Sequence, residues 1–414
     1  MNITIINHYA GSPYHGMEFR PYYFAKYWIK DGHKVTIIAS SYSHLRKNQP
    51  KFSAFQMIKG EYIDDIKYIW IRGNTYMGNG LFRFINLFWF ISLLSLTINR
   101  LIKKTDLIIT SSTYPLDIYP ALLLKKINKS CKLIYEPHDL WPMVLYKIGN
   151  IKKSHPLVKW MQYAEELSCK KADKVISMHP NNIDHLLNHG CVEEKFFHIP
   201  NGVDVSEWAQ KTALPTEHSN FLTQSRDSNN LIVTYAGSIS EANGIESFIK
   251  VAKKMENEDI IFCIVGEGSL KPEMQKYAKS ISLTNIKFLP RIDKSAIPSL
   301  LEMSDICYVG FVHSPLYKYG ISPNKLWDYM MASRPIIMVI NSSNNPIKEA
   351  NCGKTISTGE VQDIVLAIKE LIQLPKENRI KLGVNAKKYV IKNNSYKILA
   401  KKFIRISKGE RFES

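Results

Sequence analysis

Strand-length apolar runs alternate with helical stretches twice along this chain of 414 residues. That alternation restricts the fold more than any other feature. Residues 3–6 form a short apolar run, followed by a loop holding Gly11 and Gly16 and by a helical stretch over 17–30 that Asp31-Gly32 stops. The next run is 35–39. A β-α-β opening of this kind starts a parallel, doubly wound sheet. Runs at 107–110, 132–135 and 174–177 continue it, with helices expected over 116–127, 155–171 and 181–188. The stretch 210–230 is polar and reads as irregular, which marks a domain boundary. Beyond it the pattern returns in runs at 231–235, 260–265, 286–289 and 306–309. The expected organisation is α/β with two doubly wound domains, 1–205 and 206–394, and a lysine-rich C-terminal helix, 395–414, packing back on the first.

In such sheets ligands bind outside the carboxyl ends of the strands, so the loops after each run are the places to look for chemistry. In the first domain Gly16 permits close backbone approach, and Glu18 and Arg20 stand at the following helix. After residue 135 comes Glu136-Pro137-His138-Asp139-Leu140-Trp141-Pro142, ionisable groups bracketed by prolines. A lone histidine is most often structural, but a strand end and neighbouring acids make His138 a functional candidate. In the second domain the runs end in Gly237-Ser238, Gly266-Glu267-Gly268 and Pro290-Arg291. Glycines feeding helix N-termini suit a ligand with a diphosphate and a nucleoside.

The stretch 320–337, GISPNKLWDYMMASRPII, is the sharpest local signal. Ser322 is a good N-cap, Pro323 suits the first helical position, and Asn324 opens the first turn. Lys325 then places a cation against the positive end of the helix dipole, unfavourable by a few tenths to about 1 kcal/mol unless an anion sits there. A bound phosphate removes that conflict, and Asp328 one turn on is placed to accept hydrogen bonds from sugar hydroxyls. A capped amphipathic helix with solvated charges is the plainer alternative.

A net charge of +18 asks for an anionic partner. No zinc-finger spacing or basic block points to nucleic acid, which leaves phosphorylated substrates or an anionic membrane surface. Residues 81–104 are the most hydrophobic stretch, with Arg83, Arg100, Lys103 and Lys104 about them. Their apolar core, 84–98, falls short of the ~20 residues of a spanning helix. It reads as a helix lying in the membrane interface or as a buried helix of the first domain. Six widely spaced cysteines and a strand-like N-terminus without a signal peptide fit a reduced cytoplasmic compartment.

Gly16-Met17-Glu18, Glu136-Pro137-His138-Asp139, Ile199-Pro200-Asn201-Gly202-Val203-Asp204, Val265-Gly266-Glu267-Gly268 and the helix from Gly320 together resemble the retaining family 4 glycosyltransferases. The opening NHYAGSPYHGMEFRPYY and the phrase SPNKLWDYM are similar to the branch that includes N-acetyl-L-fucosamine transferases of bacterial surface polysaccharide assembly. The resemblance implies a GT-B fold, two Rossmann-like domains facing a central cleft. It implies transfer of a sugar, for instance an N-acetylated deoxyhexosamine, from a nucleoside diphosphate sugar such as a UDP-sugar to a lipid-linked or polysaccharide acceptor in O-antigen or capsule synthesis. No cofactor or metal is expected, and the place of work is the cytoplasmic face of the cell membrane. The implied catalytic groups are His138, Lys325 and Arg291. The implied donor contacts are Gly16, Glu18, Gly237, Ser238, Gly266, Glu267, Ser322, Asn324 and Asp328. Many relatives carry a glutamate where this chain has Gly320, and an arginine and a lysine where it has Ser238 and Asn243. An epimerase of the same fold, or an assembly subunit with a decayed donor site, are the alternatives.

Overall fold

The computed structural model describes residues 1–410 apart from Leu45, Met77 and Asn79. The chain divides into two compact units, one formed by residues up to Pro200 together with those from Tyr396, the other by Asn201–Ser395. The division falls at 200/201 rather than at 205/206.

The first unit is built on eight strands: β1 (Asn2–Ile6), β2 (Lys34–Ser40), β3 (Ile58–Ile63), β4 (Ile66–Ile71), β5 (Leu107–Thr110), β6 (Lys132–Tyr135), β7 (Lys174–Ser177) and β8 (Phe196–His198). They lie in the order β3-β4-β2-β1-β5-β6-β7-β8. All neighbours are parallel except the hairpin of β3 and β4. Strands of a parallel sheet are covered on both faces, so they read as continuous apolar runs. Successive residues part company: Ile6 and Ile38 join the core on one face of the sheet, Ile5 and Ile37 the core on the other.

The helix Leu81–Leu101 covers the first of these faces with Leu87, Phe90, Ile91, Leu94 and Ile98. At 21 residues it is long and apolar enough to cross a membrane, longer than the sequence pattern suggested, but one face of it is built into this core. Its other face leaves Phe82 65%, Phe88 60% and Leu96 80% exposed. Buried helix and exposed apolar surface are therefore the same element.

The second face is covered by Arg20–Lys30 and by the C-terminal helix Tyr396–Lys408. Tyr23 stacks on Tyr396 at 4.7 Å, and Trp28 Nε1 donates to the carbonyl of Ala400 at 3.0 Å.

The second unit is all parallel: β9 (Leu231–Ala236), β10 (Ile260–Val265), β11 (Ile286–Leu289), β12 (Ile306–Gly310), β13 (Ile336–Val339) and β14 (Gly353–Ile356), in the order β11-β10-β9-β12-β13-β14. This is a nucleotide-binding type of order whose direction reverses between β9 and β12, the point at which such sheets hold ligands. The polar stretch read as irregular contains a helix, Thr216–Asp227. It carries few apolar residues, and Leu222 is the one apolar side chain among those it buries, so the amphipathic signal is weak.

Candidate functional site

The helix Asn324–Met331 is where the second unit gathers its chemistry. Leu326, Trp327, Met330 and Met331 bury its inner side in the core. Lys325 and Tyr329 are one turn apart on a common face. The Tyr329 hydroxyl accepts the N–H of Ala236 at 2.7 Å and lies 3.1 Å from its carbonyl, pinning the helix to the last residue of β9. Lys325, a turn nearer the helix start, therefore reaches the loop that leaves β9. Its Nζ lies 3.1 Å from where a Cβ would stand on Gly237.

Two of the three ammonium hydrogens are committed. Nζ donates to the Tyr235 hydroxyl at 2.8 Å and to Asn243 Oδ1 at 2.6 Å, and it sits 4.4 Å from the Tyr235 ring centre. Tyr235 in turn donates to the carbonyl of Ser238. Among the described residues no carboxylate pairs with Lys325, and burial pushes its pKa down to about 7. An arriving anion restores the charge. Affinity for a nucleoside diphosphate should thus fall several-fold as pH rises from about 7 to 9 in the wild type, and stay level in Lys325→Met, when followed by titration calorimetry.

Ser322 is not the N-cap. Its hydroxyl accepts the N–H of Asn201 at 2.6 Å and its carbonyl accepts Asn201 Nδ2 at 2.8 Å, so it braces the segment entering the unit, and Pro323 occupies the cap position without a side-chain bond. Asn324 is exposed, and Asp328 is half-buried. Burial raises the Asp328 pKa, with Lys294 opposing, and the Trp208 side chain is within hydrogen-bonding reach.

Gly320 has φ of 101°. A glutamate there would be strained in a region that side chains rarely enter, so its absence follows from this backbone path.

At the neighbouring strand ends Gly266 passes so close to Gly237 that a Cβ would stand 1.9 Å from the Gly237 carbonyl oxygen. Only glycine permits that approach. Ser238 is exposed on the same loop. Glu267 is exposed and salt-bridged to Lys271 at 2.6 Å, and Lys271 first, then Arg291, hold its carboxyl below the usual range. Arg291 is exposed after β11, two strands from β9. Adjacent strands are about 4.8 Å apart, which sets Arg291 roughly 10 Å from Gly237 at the backbone. Lys325 at the loop after β9 and Arg291 after β11 thus come from strand ends with β10 between them.

In the first unit the loop after β6 carries a chain of charges. Arg20 donates to Glu136 Oε1 from Nε at 3.1 Å and Nη2 at 2.9 Å, and to the carbonyls of Pro200 at 2.7 Å and Ile199 at 2.8 Å. Glu136 Oε2 lies 3.1 Å from His138 Nε2, and Glu18 Oε1 lies 2.6 Å from His138 Nδ1, out of line for a hydrogen bond. Burial opposes a charge on His138, but Glu18 and Glu136 outweigh it and the pKa is pushed up to about 10. Glu136 is likewise pulled below its ordinary value by Arg20 and His138 against its burial. His179, half-buried near the same cations, falls to about 4 through desolvation first and then His138 and Arg20. Gly16 has φ of 98° and its N–H closes a turn onto the Ser12 carbonyl at 2.7 Å.

His138 and Glu18, proposed from motifs, are thus brought together, as are Gly237, Gly266 and Lys325. Arg20 was placed by sequence only at the start of its helix. Tyr235, Tyr329 and the accepting role of Asn243 carried no sequence signal, because each acts through a contact 82 to 93 residues away.

Residues 14–207 match the model for Glycosyltransferase Family 4, and residues 220–389 that for Glycosyl transferases group 1. Among curated proteins the chain is similar to "Putative colanic acid biosynthesis glycosyl transferase WcaI" of Escherichia coli (strain K12). That match is 24% identical over 224 residues, 52% of this chain and 53% of that protein. "Probable glycosyltransferase WbjE" of Pseudomonas aeruginosa is 20% identical over 73% of this chain and 74% of its own length. The chain spans about half the length of the first of these relatives.

Among solved structures, sucrose-phosphate synthase from Thermosynechococcus elongatus matches with a TM-score of 0.71 at 15% identity, over 99% of this chain and 98% of that one. Anabaena Alr3699/HepE in complex with UDP and glucose matches with a TM-score of 0.66 at 15% identity, over 98% of both chains. WaaG, a glycosyltransferase involved in lipopolysaccharide biosynthesis, gives 0.66 at 14% identity, over 99% of this chain and 100% of that one. At these identities the likeness shows the fold, which is α/β of the GT-B type.

Proposed function

The chain belongs to the glycosyltransferases that join a family 4 domain to a group 1 domain, and on that premise we propose that it transfers a sugar from a nucleoside diphosphate donor during bacterial polysaccharide synthesis. The observation that carries the reading is the ammonium of Lys325, held by Tyr235 and Asn243 beside Gly237 with no carboxylate of its own among the described residues. Negative charge grows on the leaving diphosphate as the glycosidic bond lengthens. A cation fixed there beforehand stabilises that charge without reorganising.

The donor is a nucleoside diphosphate sugar of the UDP type, and the acceptor is a lipid-linked or polysaccharide hydroxyl. The sugar is transferred with retention, by a front-face route in which the leaving phosphate oxygen takes the acceptor proton. Lys325 and Arg291 provide the positive charge, with no metal or cofactor assigned to the step. Gly237, Ser238 and Gly266 present backbone to the diphosphate, and Ser322, Asn324 and Glu267 flank it. Asp328 takes the ribose. The His138 group with Gly16 and Glu18 is assigned to sugar hydroxyls. The fucosamine branch remains the working choice of donor sugar, supported by SPNKLWDYM. The two family matches do not favour an epimerase or a non-catalytic subunit.

Incubating the protein with UDP-N-acetylated deoxyhexosamine and a polyprenyl diphosphate-linked sugar should release UDP only when both are present. Isomerised sugar nucleotide without transfer would overturn the assignment.

The site of work is proposed to be the inner face of the cell membrane. Its basis is the exposed apolar face of Leu81–Leu101 with Arg100, Lys103 and Lys104 at one end. Phe82→Ser with Leu96→Ser should lower cosedimentation with anionic phospholipid vesicles several-fold at unchanged folding. Equal pelleting would remove the membrane from this reading.

A further inference from the structure

We propose a divalent-cation site of the zinc type in the first unit, formed by Glu165, His185 and His189. It lies between two helical segments of that unit. Glu165 belongs to the helix Pro156–Lys171, and the two histidines to the turns around Ile183–Leu186 and Leu187–His189. One ligand atom from each can be chosen so that all lie within 4.8 Å of one another.

Two imidazoles and a carboxylate are the donor set that zinc accepts with one position left open. Tetrahedral bonds of about 2.0–2.1 Å set ligands roughly 3.3 Å apart, so closure asks for a movement on the order of 1 Å. His185 Nε2 is already 3.0 and 3.1 Å from the two Glu165 oxygens. The His185 and His189 rings are 4.4 Å apart.

What now holds the third ligand is informative. Gln162 Nε2 lies 2.8 Å from Glu165 Oε2 and 2.9 Å from His189 Nδ1. An amide nitrogen only donates, so His189 presents a lone pair at Nδ1 toward the Gln162 amide. The amide thus bridges the carboxylate and the imidazole as a cation would. Glu166 Oε1, 3.5 Å from the same His189 nitrogen, is a further oxygen within reach.

Gln162, Glu166 and His189 also line an open cavity of about 440 Å³. That cavity gives an ion a way in and gives the Gln162 side chain room to leave. Coordination requires Nε2 of His185 to present its lone pair as well, so the hydrogen shared with Glu165 is released as the ion binds. Glu165 is fully buried and His189 about a quarter exposed, so the site is anchored inside and open at its rim.

The test uses Co²⁺ alone, and then Zn²⁺ in competition, on the full chain. One equivalent of Co²⁺ should bind and give visible ligand-field bands of low-coordinate type, and Zn²⁺ should bleach them and raise Tm. His189→Ala changes a partly exposed residue, and its metal-free Tm and circular dichroism report folding. It should weaken binding at least tenfold, whereas Gln162→Ala should tighten it by removing the competing amide. Binding that survives His189→Ala would be due to other exposed histidines and would overturn the site, as would the absence of bands. The donor reaction is not used as a readout, so the outcome is independent of the proposed transferase activity.

Discussion

Lys325→Ala should lower kcat by about 10²–10³-fold, the range for removing one preorganised donor from developing negative charge. The change in KM for the sugar nucleotide should be much smaller. The reason is positional. Tyr329 fixes the helix to Ala236, and Tyr235 and Asn243 fix the ammonium itself, so the charge is in place before the bond breaks. Tyr235→Phe removes one of the two acceptors and leaves the charge, so its loss should be smaller. A Lys325→Ala enzyme with normal kcat and weakened donor binding would show that the lysine acts on the ground state alone.

The second large effect is on stability. Arg20→Ala should destabilise the protein by about 3–5 kcal/mol, because it leaves the Glu136 carboxylate buried with its guanidinium partner gone. The same change frees the carbonyls of Ile199 and Pro200 that Arg20 now bonds. Chemical denaturation measures this directly, and a loss below about 1 kcal/mol would mean that Arg20 acts as a surface ion pair.

The His138 link of the chain adds a pH signature. Its folded pKa, about 10, is above the unfolded value of 6.5. Its contribution is therefore complete below 6.5 and is lost as pH rises toward 10. Wild-type stability should decline across that window. His138→Gln should be less stable at neutral pH and should lose most of that slope. An equal slope in both proteins would mean that His138 is not charged in the native state.

Two departures from the family pattern look different once the structure is known. At Gly320 the positive φ makes a glutamate strained on this backbone path, whatever the chemistry would favour. At Asn243 the missing lysine is replaced by an amide that accepts from Lys325, so the position holds a cation instead of supplying one. Arg291, grouped with Lys325 from sequence, follows β11, two strands from β9, and acts on the Glu267 carboxyl.

Much of this protein is local and was legible from residues alone. The apolar runs of β1, β5, β6, β9, β10 and β12 and the glycines that end two of them fix a parallel doubly wound architecture, since buried strands must be apolar on both faces. Motif residues also named His138, Glu18, Gly237 and Lys325. Other features were decided by tertiary contacts. The β3–β4 hairpin has two turn residues with positive φ, Asp64 and Asp65, but a mixed polar first strand that offers little apolar pattern. The helix Leu81–Leu101 has one apolar composition all round, and only its packing divides a buried face from an exposed one. Ser322 has the chemistry of a cap, and it was the distant Asn201 that claimed its hydroxyl. The charge states of Lys325 and His138 follow the same rule. Each depends on burial and on partners far along the chain, which a sequence orders but does not bring together.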